Sequence, residues 1–130
     1  MKKNIEFLYA YRDASNYRST GRVVFRASKN LNLAEGRSRL QAAFGTDGTF
    51  MADQVRVPEV FLYSGGAADS DDHCLHEFLS IAETAEKEND PCGRSLAEFV
   101  TEVERVSGEG WLGFDPHDAH RPRRRFRFTV

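Results

Sequence analysis

Large apolar side chains occupy every second position between residues 5 and 11. They are Ile5, Phe7, Tyr9 and Tyr11. A period of two places them on one face of an extended chain, and their β-branched and aromatic character favours a strand. The polar stretch 12–21 interrupts the pattern, and residues 22–27 resume it. The sequence therefore predicts a hairpin of two strands joined by a long loop.

Two segments carry the spacing and the end signals of amphipathic helices. Asn32 and Ser95 each precede a glutamate by three residues, which is the spacing of a capping box. Apolar side chains follow at helical intervals. They are Leu33, Leu40, Ala43 and Phe44 in the first segment and Leu96, Phe99, Val100, Val103 and Val106 in the second. The predicted helices span 33–44 and 96–107, and each is ended by the glycine that follows it.

Two further segments favour strands. Residues 58–63 are rich in apolar and aromatic side chains and run into the turn sequence Ser64-Gly65-Gly66. Residues 73–84 fit a strand or a helical stripe, and a strand is preferred because Asp-rich and Glu-rich segments bound them. The sequence predicts an α+β fold, a four-stranded mostly antiparallel sheet with two helices in the order ββαββα.

One α+β domain is predicted for residues 1–116, followed by a basic C-terminal tail or edge strand at 117–130. A chain of 130 residues with 40% hydrophobic side chains is large enough to fold around one core without disulfides. It has only two cysteines, no apolar run of membrane-spanning length and no signal-peptide h-region. We expect a cytoplasmic protein that contacts no membrane, and no cofactor is predicted.

The net charge of −2 hides an uneven distribution. Residues 1–68 carry a net +4, residues 69–118 a net −11 and residues 119–130 a net +5. Such a distribution bears on partners rather than on the fold. Two interpretations of the acidic block stay open. Its carboxylates form the solvated face of the second helix, or they form an anionic surface around Glu98 and Glu102 that binds a basic groove of another protein.

The C-terminal segment is a compact cationic patch. Its arginines are Arg121, Arg123, Arg124, Arg125 and Arg127. Guanidinium groups contact phosphates and an interleaved aromatic ring stacks on a base, so nucleic acid is a candidate partner. The segment can instead bind a protein or fold back on the acidic block.

All four histidines fall in two H-x-x-H pairs with acids around them: His73 with His76, and His117 with His120. Two converging pairs would complete a tetrahedral zinc shell, as in a small metal-dependent enzyme. A strand at 73–84 argues against this, because it points the first two imidazoles to opposite faces. Neither pair matches a known zinc motif, so surface or packing roles are preferred and no metal ligand is predicted.

Two short stretches carry a resemblance. Residues 9–18 are Y-A-Y-R-D-A-S-N-Y-R, and residues 71–78 are D-D-H-C-L-H-E-F. Together with Val23-Val24-Phe25, they resemble small uncharacterised bacterial proteins that carry a Y-R-D-A-S-N-Y-K segment near the start and a D-D-H-x-x-H-E-F element. The resemblance implies a bacterial origin and brings no activity with it.

The first stretch concentrates side chains that bind other molecules on a loop after a strand. They are Tyr11, Arg12, Asp13, Asn16 and Tyr17. Alternatively, Asp13 and Asn16 only hold the hairpin connection by local hydrogen bonds. We predict a macromolecular interaction or inhibitor module of a bacterial accessory or mobile-element system, which binds a protein through these five residues with Glu98 and Glu102. No catalytic residue is predicted. The metal-dependent enzyme and the nucleic-acid binder remain the alternatives.

Overall fold

The computed structural model of the chain describes residues 3–63 and 67–127. The regular elements of these residues are β1 (Asn4–Arg12), β2 (Arg18–Phe25), α1 (Leu33–Ala43), β3 (Thr49–Phe50), β4 (His76–Thr84), α2 (Leu96–Glu109), β5 (Leu112–Phe114) and β6 (Arg125–Arg127). Two short 3₁₀ turns, Thr46–Gly48 and Ala52–Val55, flank β3. Neither helix in the described part of the chain is long and apolar enough to cross a membrane.

Strands β2, β1, β4 and β3 lie side by side in that order, and each neighbouring pair is antiparallel. In the central strand β1, Phe7 lies opposite Val23 of β2 and Ile81 of β4. The predicted alternation from Ile5 to Tyr11 is therefore the buried face of the central strand. The prediction of an α+β fold, with a four-stranded antiparallel sheet and two helices, is confirmed.

The predicted strand at 58–63 is wrong, and the predicted ββαββα order is not confirmed. The fourth strand is instead the two-residue β3, and β5 and β6 form a separate two-stranded sheet after α2. Pro58 has no N–H to give to a ladder. The segment bonds to side chains instead: Pro58 O accepts from the Tyr9 hydroxyl at 2.5 Å, and the Val60 N–H donates to His76 Nε2 at 3.0 Å. The predicted turn at 64–66 lies outside the described residues.

The segment 73–84, which fitted both a strand and a helix, forms strand β4 from His76 onward, and residues 73–75 are irregular. The register of β4 against β1 shifts between Leu8 and Tyr9, which makes Leu79 an extra, partly exposed residue. Because of this bulge, Phe78 and Ile81 can both face the core although they lie three residues apart. The bulge therefore explains why a strand showed a helical spacing.

Both helices begin at the predicted residues. Asn32 Oδ1 accepts a hydrogen bond from the Glu35 N–H at 2.8 Å. Ser95 and Glu98 form a reciprocal capping box at the start of α2. Each cap satisfies backbone donors that the first turn of a helix leaves unpaired.

The C-termini of the helices differ from the prediction. Helix α1 ends at Ala43, one residue early, while α2 continues through Gly108 to Glu109. The residue after α2 is Gly110, whose φ of 102° lies in the region that favours glycine. The presence of a glycine is therefore not enough to end a helix. Gly108 lies within α2, and the helix ends before Gly110, whose backbone leaves the helical conformation.

The core lies between the buried face of the sheet and the two helices. Phe7 is at its centre, with its ring centroid 4.9 Å from that of Phe99 and 5.5 Å from that of Phe78. Phe25 stacks on Phe99 with centroids 4.4 Å apart. Helix α1 approaches α2 closely at Gly36, where a Cβ atom would lie 3.3 Å from the Leu96 side chain.

A buried ion network ties the second 3₁₀ turn to α2. The Arg94 side chain is only 6% exposed. Its guanidinium donates to both carboxylate oxygens of Asp90, to Glu102, and to the carbonyls of Val55 and Arg56. All five N–H donors of the guanidinium are therefore used, which is the condition for burying such a charge without a large penalty.

Candidate partner-binding site

The hairpin between β1 and β2 ends in a tightly hydrogen-bonded turn, residues 12–17, here called the hairpin tip. The Asp13 N–H donates to Tyr17 O at 3.1 Å, and the Tyr17 N–H donates to Asp13 Oδ1 at 2.9 Å. Asn16 has a φ of 70°, a conformation that asparagine tolerates better than most residues. The Asp13 carboxylate therefore holds the turn, as the structural alternative predicted, whereas Asn16 contributes through its backbone conformation; the Tyr17 side chain is 70% exposed.

A second loop, residues 69–73, lies against the hairpin tip and is called the Asp loop. The Ala14 N–H donates to Asp71 O at 3.0 Å, and the Ser15 hydroxyl donates to Asp71 Oδ2 at 2.5 Å. The Asp loop is itself folded by the Asp69 N–H, which donates to Asp72 Oδ2 at 2.9 Å. The two loops therefore form one surface, held together by bonds between residues more than fifty positions apart.

Tyr11 lies beneath this surface and is fully buried in β1. Its hydroxyl donates to Asp72 Oδ1 at 2.6 Å and accepts from the His73 N–H at 3.2 Å. Burial and the hydrogen bond to Asp72 raise the pKa of Tyr11. Burial alone would raise the pKa of Asp72, but the bonds from Tyr11 and the Asp69 amide hold it below its usual value. The prediction that Tyr11 binds a partner is wrong, because its side chain is buried. Tyr11 supports the surface from beneath and does not contact a partner.

Arg12 connects the hairpin tip to β4. Its guanidinium lies 3.1 Å from Glu77 Oε2 and 3.4 Å from Asn16 Oδ1, and its side chain is 48% exposed. The structure therefore brings Arg12, Asp13, Asn16 and Tyr17 together around one turn. It also joins the two stretches that carry the resemblance, because Tyr11, Arg12 and Ser15 bond to residues of the second stretch.

Glu98 and Glu102 lie on α2, away from the hairpin tip. Glu98 caps the helix and pairs with Arg26 at 3.2 Å. Its pKa is lowered by the hydrogen bonds of the capping box with Ser95. The Glu102 side chain is only 14% exposed and pairs with Arg94 and Arg56. This face of α2 therefore carries balanced charges, and partner binding through Glu98 and Glu102 stays a prediction.

The C-terminal arginines fold back onto the protein. Arg123 donates to Glu59 and Asp53, and Arg125 also pairs with Asp53. Arg124 bonds to both oxygens of Asp118. Most of these acids lie outside the acidic block 69–118 on which the fold-back interpretation was based.

Two more arginines complete this segment. Arg127 donates to the Glu109 carbonyl at 2.7 Å. Arg121 bonds to the carbonyl of its own neighbour, His120, at 3.0 Å, and forms no ion pair with any described residue. Most of the segment is thus already paired within the protein, which weakens the prediction of a phosphate-binding patch formed by all five arginines.

His73 and His76 have separate partners. His73 Nε2 lies 2.7 Å from the Arg12 carbonyl, and its Nδ1 accepts from the Leu75 N–H at 3.0 Å. His76 is 1% exposed and accepts from the Val60 N–H, which leaves its Nδ1 without a hydrogen-bond partner among the described residues. Burial lowers the pKa of His76 to about 4, so this side chain is neutral near pH 7.

His117 and His120 lie in the C-terminal segment. His117 Nδ1 is 3.0 Å from Asp115 Oδ1 and its Nε2 is 2.7 Å from the Asp69 carbonyl, whereas His120 Nδ1 is 2.9 Å from the Pro122 carbonyl. Among residues 3–63 and 67–127, no three His, Cys, Asp or Glu side chains lie close enough to hold one metal ion. The convergence of both pairs on one metal, as the enzyme alternative requires, is therefore not found in that part of the chain.

Sequence reasoning missed the contact of Ser15 and Asp71, although both lie in stretches that it singled out. It also missed Arg94, whose only signal is the four-residue spacing from Asp90. Comparison of the chain with protein families, with curated proteins and with solved structures gave no match.

Proposed function

We propose that this chain works by binding another protein through the hairpin tip and the adjoining Asp loop. The observation that carries the proposal is the exposed ring of Tyr17 on a turn that is fixed from both sides. The other three tyrosines, Tyr9, Tyr11 and Tyr63, each donate their hydroxyl to a partner within the protein. The accessory or inhibitor role predicted from the sequence stays a prediction.

Tyrosine and arginine are the residue types that most often dominate binding energy at protein interfaces. Tyr17 and Arg12 offer both types within one turn. Because Asp13 and Asp71 already hold the backbone of this turn, a partner would not have to order it. A turn that is ordered before binding lowers the entropic cost of association.

The charge around Tyr17 indicates the chemistry of the partner. Asp71 bonds to Ala14 and Ser15 of the tip, and Asp69 lies in the same loop, where its carboxylate accepts from the Asp71 N–H. We expect a partner with a small apolar pocket for the Tyr17 ring, bordered by lysines or arginines. Such charge complementarity mainly increases the association rate and makes it sensitive to salt.

The test compares Tyr17→Ala with the wild-type protein as immobilised bait in a bacterial lysate, with bound proteins quantified by mass spectrometry. A hot-spot residue contributes about 2 kcal/mol or more to binding, so we expect the affinity for the specific partner, and with it the capture, to fall about thirtyfold or more. Thermal stability should barely change, because the ring is exposed.

Arg105→Ala is the matched control for the companion variant Arg12→Ala. Both arginines are about half exposed, and each forms an exposed ion pair, with Glu109 and Glu77 respectively. Only Arg12→Ala should weaken capture. Equal capture by the wild type, Tyr17→Ala and Arg12→Ala would remove the hairpin tip as the binding site.

A further inference from the structure

A cavity of about 220 Å³ opens between residues 59–63, residues 114–118 at the end of β5, and residues 121–123. Three of its eight lining side chains are aromatic, and four are charged. The rings of Phe61 and Tyr63 stack with centroids 4.6 Å apart, and Phe114 is perpendicular to Phe61 at 6.1 Å. Aromatic side chains in two orientations can contact both the face and the edge of a flat ring.

The wall is held in place by bonds within the protein. The Tyr63 hydroxyl donates to the His73 carbonyl at 2.9 Å. The guanidinium of Arg123 lies 3.9 Å from the ring centroid of Phe114 and donates to both oxygens of Glu59, at 2.6 and 2.9 Å. The shape of the cavity therefore does not depend on an occupant.

Some of the charged residues that line the cavity form ion pairs within the protein, and one does not. Glu59 is neutralised by Arg123, and Asp118 by Arg124. Arg121 also lines the cavity and forms no ion pair with any residue in the ranges 3–63 and 67–127. Three aromatic rings beside one guanidinium that forms no such pair are suited to a small ligand with a flat ring and one anionic group.

We infer that this cavity binds a pyrimidine nucleotide, with the base against Phe61 and Tyr63 and the phosphate on Arg121. The volume is below the roughly 300–1,000 Å³ of most ligand pockets, which favours one ring over two. Base–aromatic stacking and a phosphate–arginine contact are the two interactions by which proteins hold single nucleotides. The Glu59 and Asp118 carboxylates can accept hydrogen bonds from the sugar hydroxyls or a base amino group. This site is independent of the proposed function, since it uses no residue of the hairpin tip.

A free mononucleotide and one nucleotide of a single strand present the same chemistry, so both are tested. Cytidine monophosphate, cytidine and a short oligocytidylate are titrated into the intact protein and followed by NMR. We expect saturable binding of the monophosphate with Kd below about 1 mM, and binding of cytidine about tenfold weaker or more. If the oligocytidylate binds more tightly than the monophosphate, the natural ligand is single-stranded nucleic acid. If the two affinities are equal, the natural ligand is the free nucleotide.

Arg121→Ala should weaken binding of the monophosphate about tenfold while leaving that of cytidine unchanged, because it removes only the phosphate contact. Arg105→Ala, an exposed arginine on α2, is the charge-matched control. Phe61→Leu should weaken both ligands, and its unchanged α2 and β4 resonances would show that it is folded. The inference is overturned if no ligand saturates the protein at about 10 mM, or if Arg121→Ala binds the monophosphate like the wild type.

Discussion

Phe7 and Tyr11 lie on the same face of β1, and both are fully buried, but they are covered in different ways. The helix-covered region around Phe7 is closed by rings from strands and helices, such as Phe25, Phe78 and Phe99. The loop-covered region around Tyr11 is closed by Phe61, Tyr63 and His73 of irregular segments and by His76, the first residue of β4.

The comparison shows which force positions each region. Around Phe7 apolar packing is sufficient, because the backbone of regular elements satisfies its own hydrogen bonds. Around Tyr11 each covering segment is held by a directional bond, such as Tyr63 to the His73 carbonyl or His76 to the Val60 N–H. Both candidate sites adjoin the loop-covered region, where single polar side chains determine the shape of the surface.

The largest expected effect tests the buried ion pair of Arg94 and Asp90 beside the helix-covered region. Arg94→Ala leaves Asp90 buried without its partner and should lower the free energy of unfolding by about 3–5 kcal/mol. Urea denaturation measures this loss. Arg105→Ala, which removes an exposed ion pair on α2, should cost about 0.5 kcal/mol or less. Similar losses for both variants would contradict the assignment of Arg94 to a structural network.

The next largest effect is a loss of stability in acid, caused by His76 of the loop-covered region. The pKa of His76 is about 4 in the folded protein against 6.5 for an ordinary histidine, so the unfolded chain binds the proton more readily. Stability should therefore decrease as the pH falls from 6.5 to 4, by about 3 kcal/mol.

His76→Gln removes this titration, and its amide can still accept a hydrogen bond from the Val60 N–H. Denaturation series at several pH values should show a flatter pH dependence for the variant than for the wild type. An unchanged slope would mean that His76 is already protonated in the fold, or that other groups dominate this pH range.

A smaller effect tests the bond that joins Tyr11 to the Asp loop. Tyr11→Phe removes the hydroxyl but keeps the ring, so we expect a loss of about 1–2 kcal/mol. Hydrogen exchange of the amides of Asp69 and Asp72 should accelerate, because their loop loses a buried contact. Tyr17→Phe, which removes an exposed hydroxyl, is the control and should change neither quantity.

The smallest effect concerns His117, an exposed side chain that joins the C-terminal segment to the Asp loop. The hydrogen bond to Asp115, the Asp69 carbonyl and the charge of Asp72 raise the pKa of His117. The protonated His117 side chain therefore stabilises the fold below about pH 6.5. This stabilisation is lost as the pH rises through the raised pKa. NMR titration of the imidazole should show a lower pKa in Asp115→Asn. If Asp115→Asn leaves the pKa unchanged, the bond between the two side chains does not form in solution.

The predictions that held depend on neighbours in the sequence. The alternation of Ile5 to Tyr11 and the caps Asn32 and Ser95 involve interactions within a few residues, so the local pattern contains them. The local pattern could not show that residues 58–63 do not form a strand. Its apolar pattern is real, but its backbone bonds go to Tyr9 and His76, which are distant in the chain.

The candidate site was predicted in part for the same reason. That Asp13 folds the turn follows from its local hydrogen bonding. That Tyr11 is buried beneath the Asp loop, while Tyr17 stays exposed, depends on contacts with Asp71 and Asp72 far along the chain. Residue type was informative about binding chemistry but not about which tyrosine reaches solvent.

The amino-acid sequence by itself determined the α+β class, the central strand and the starts of both helices, because periodicity and capping are properties of short segments. Only the tertiary structure decided where the charges go. The sequence did not show which partners Glu102, Arg123 and Arg125 have, and each pairs with a residue more than forty positions away. A charged side chain pairs with whatever opposite charge the fold brings within a few ångströms, and no local pattern contains that distance.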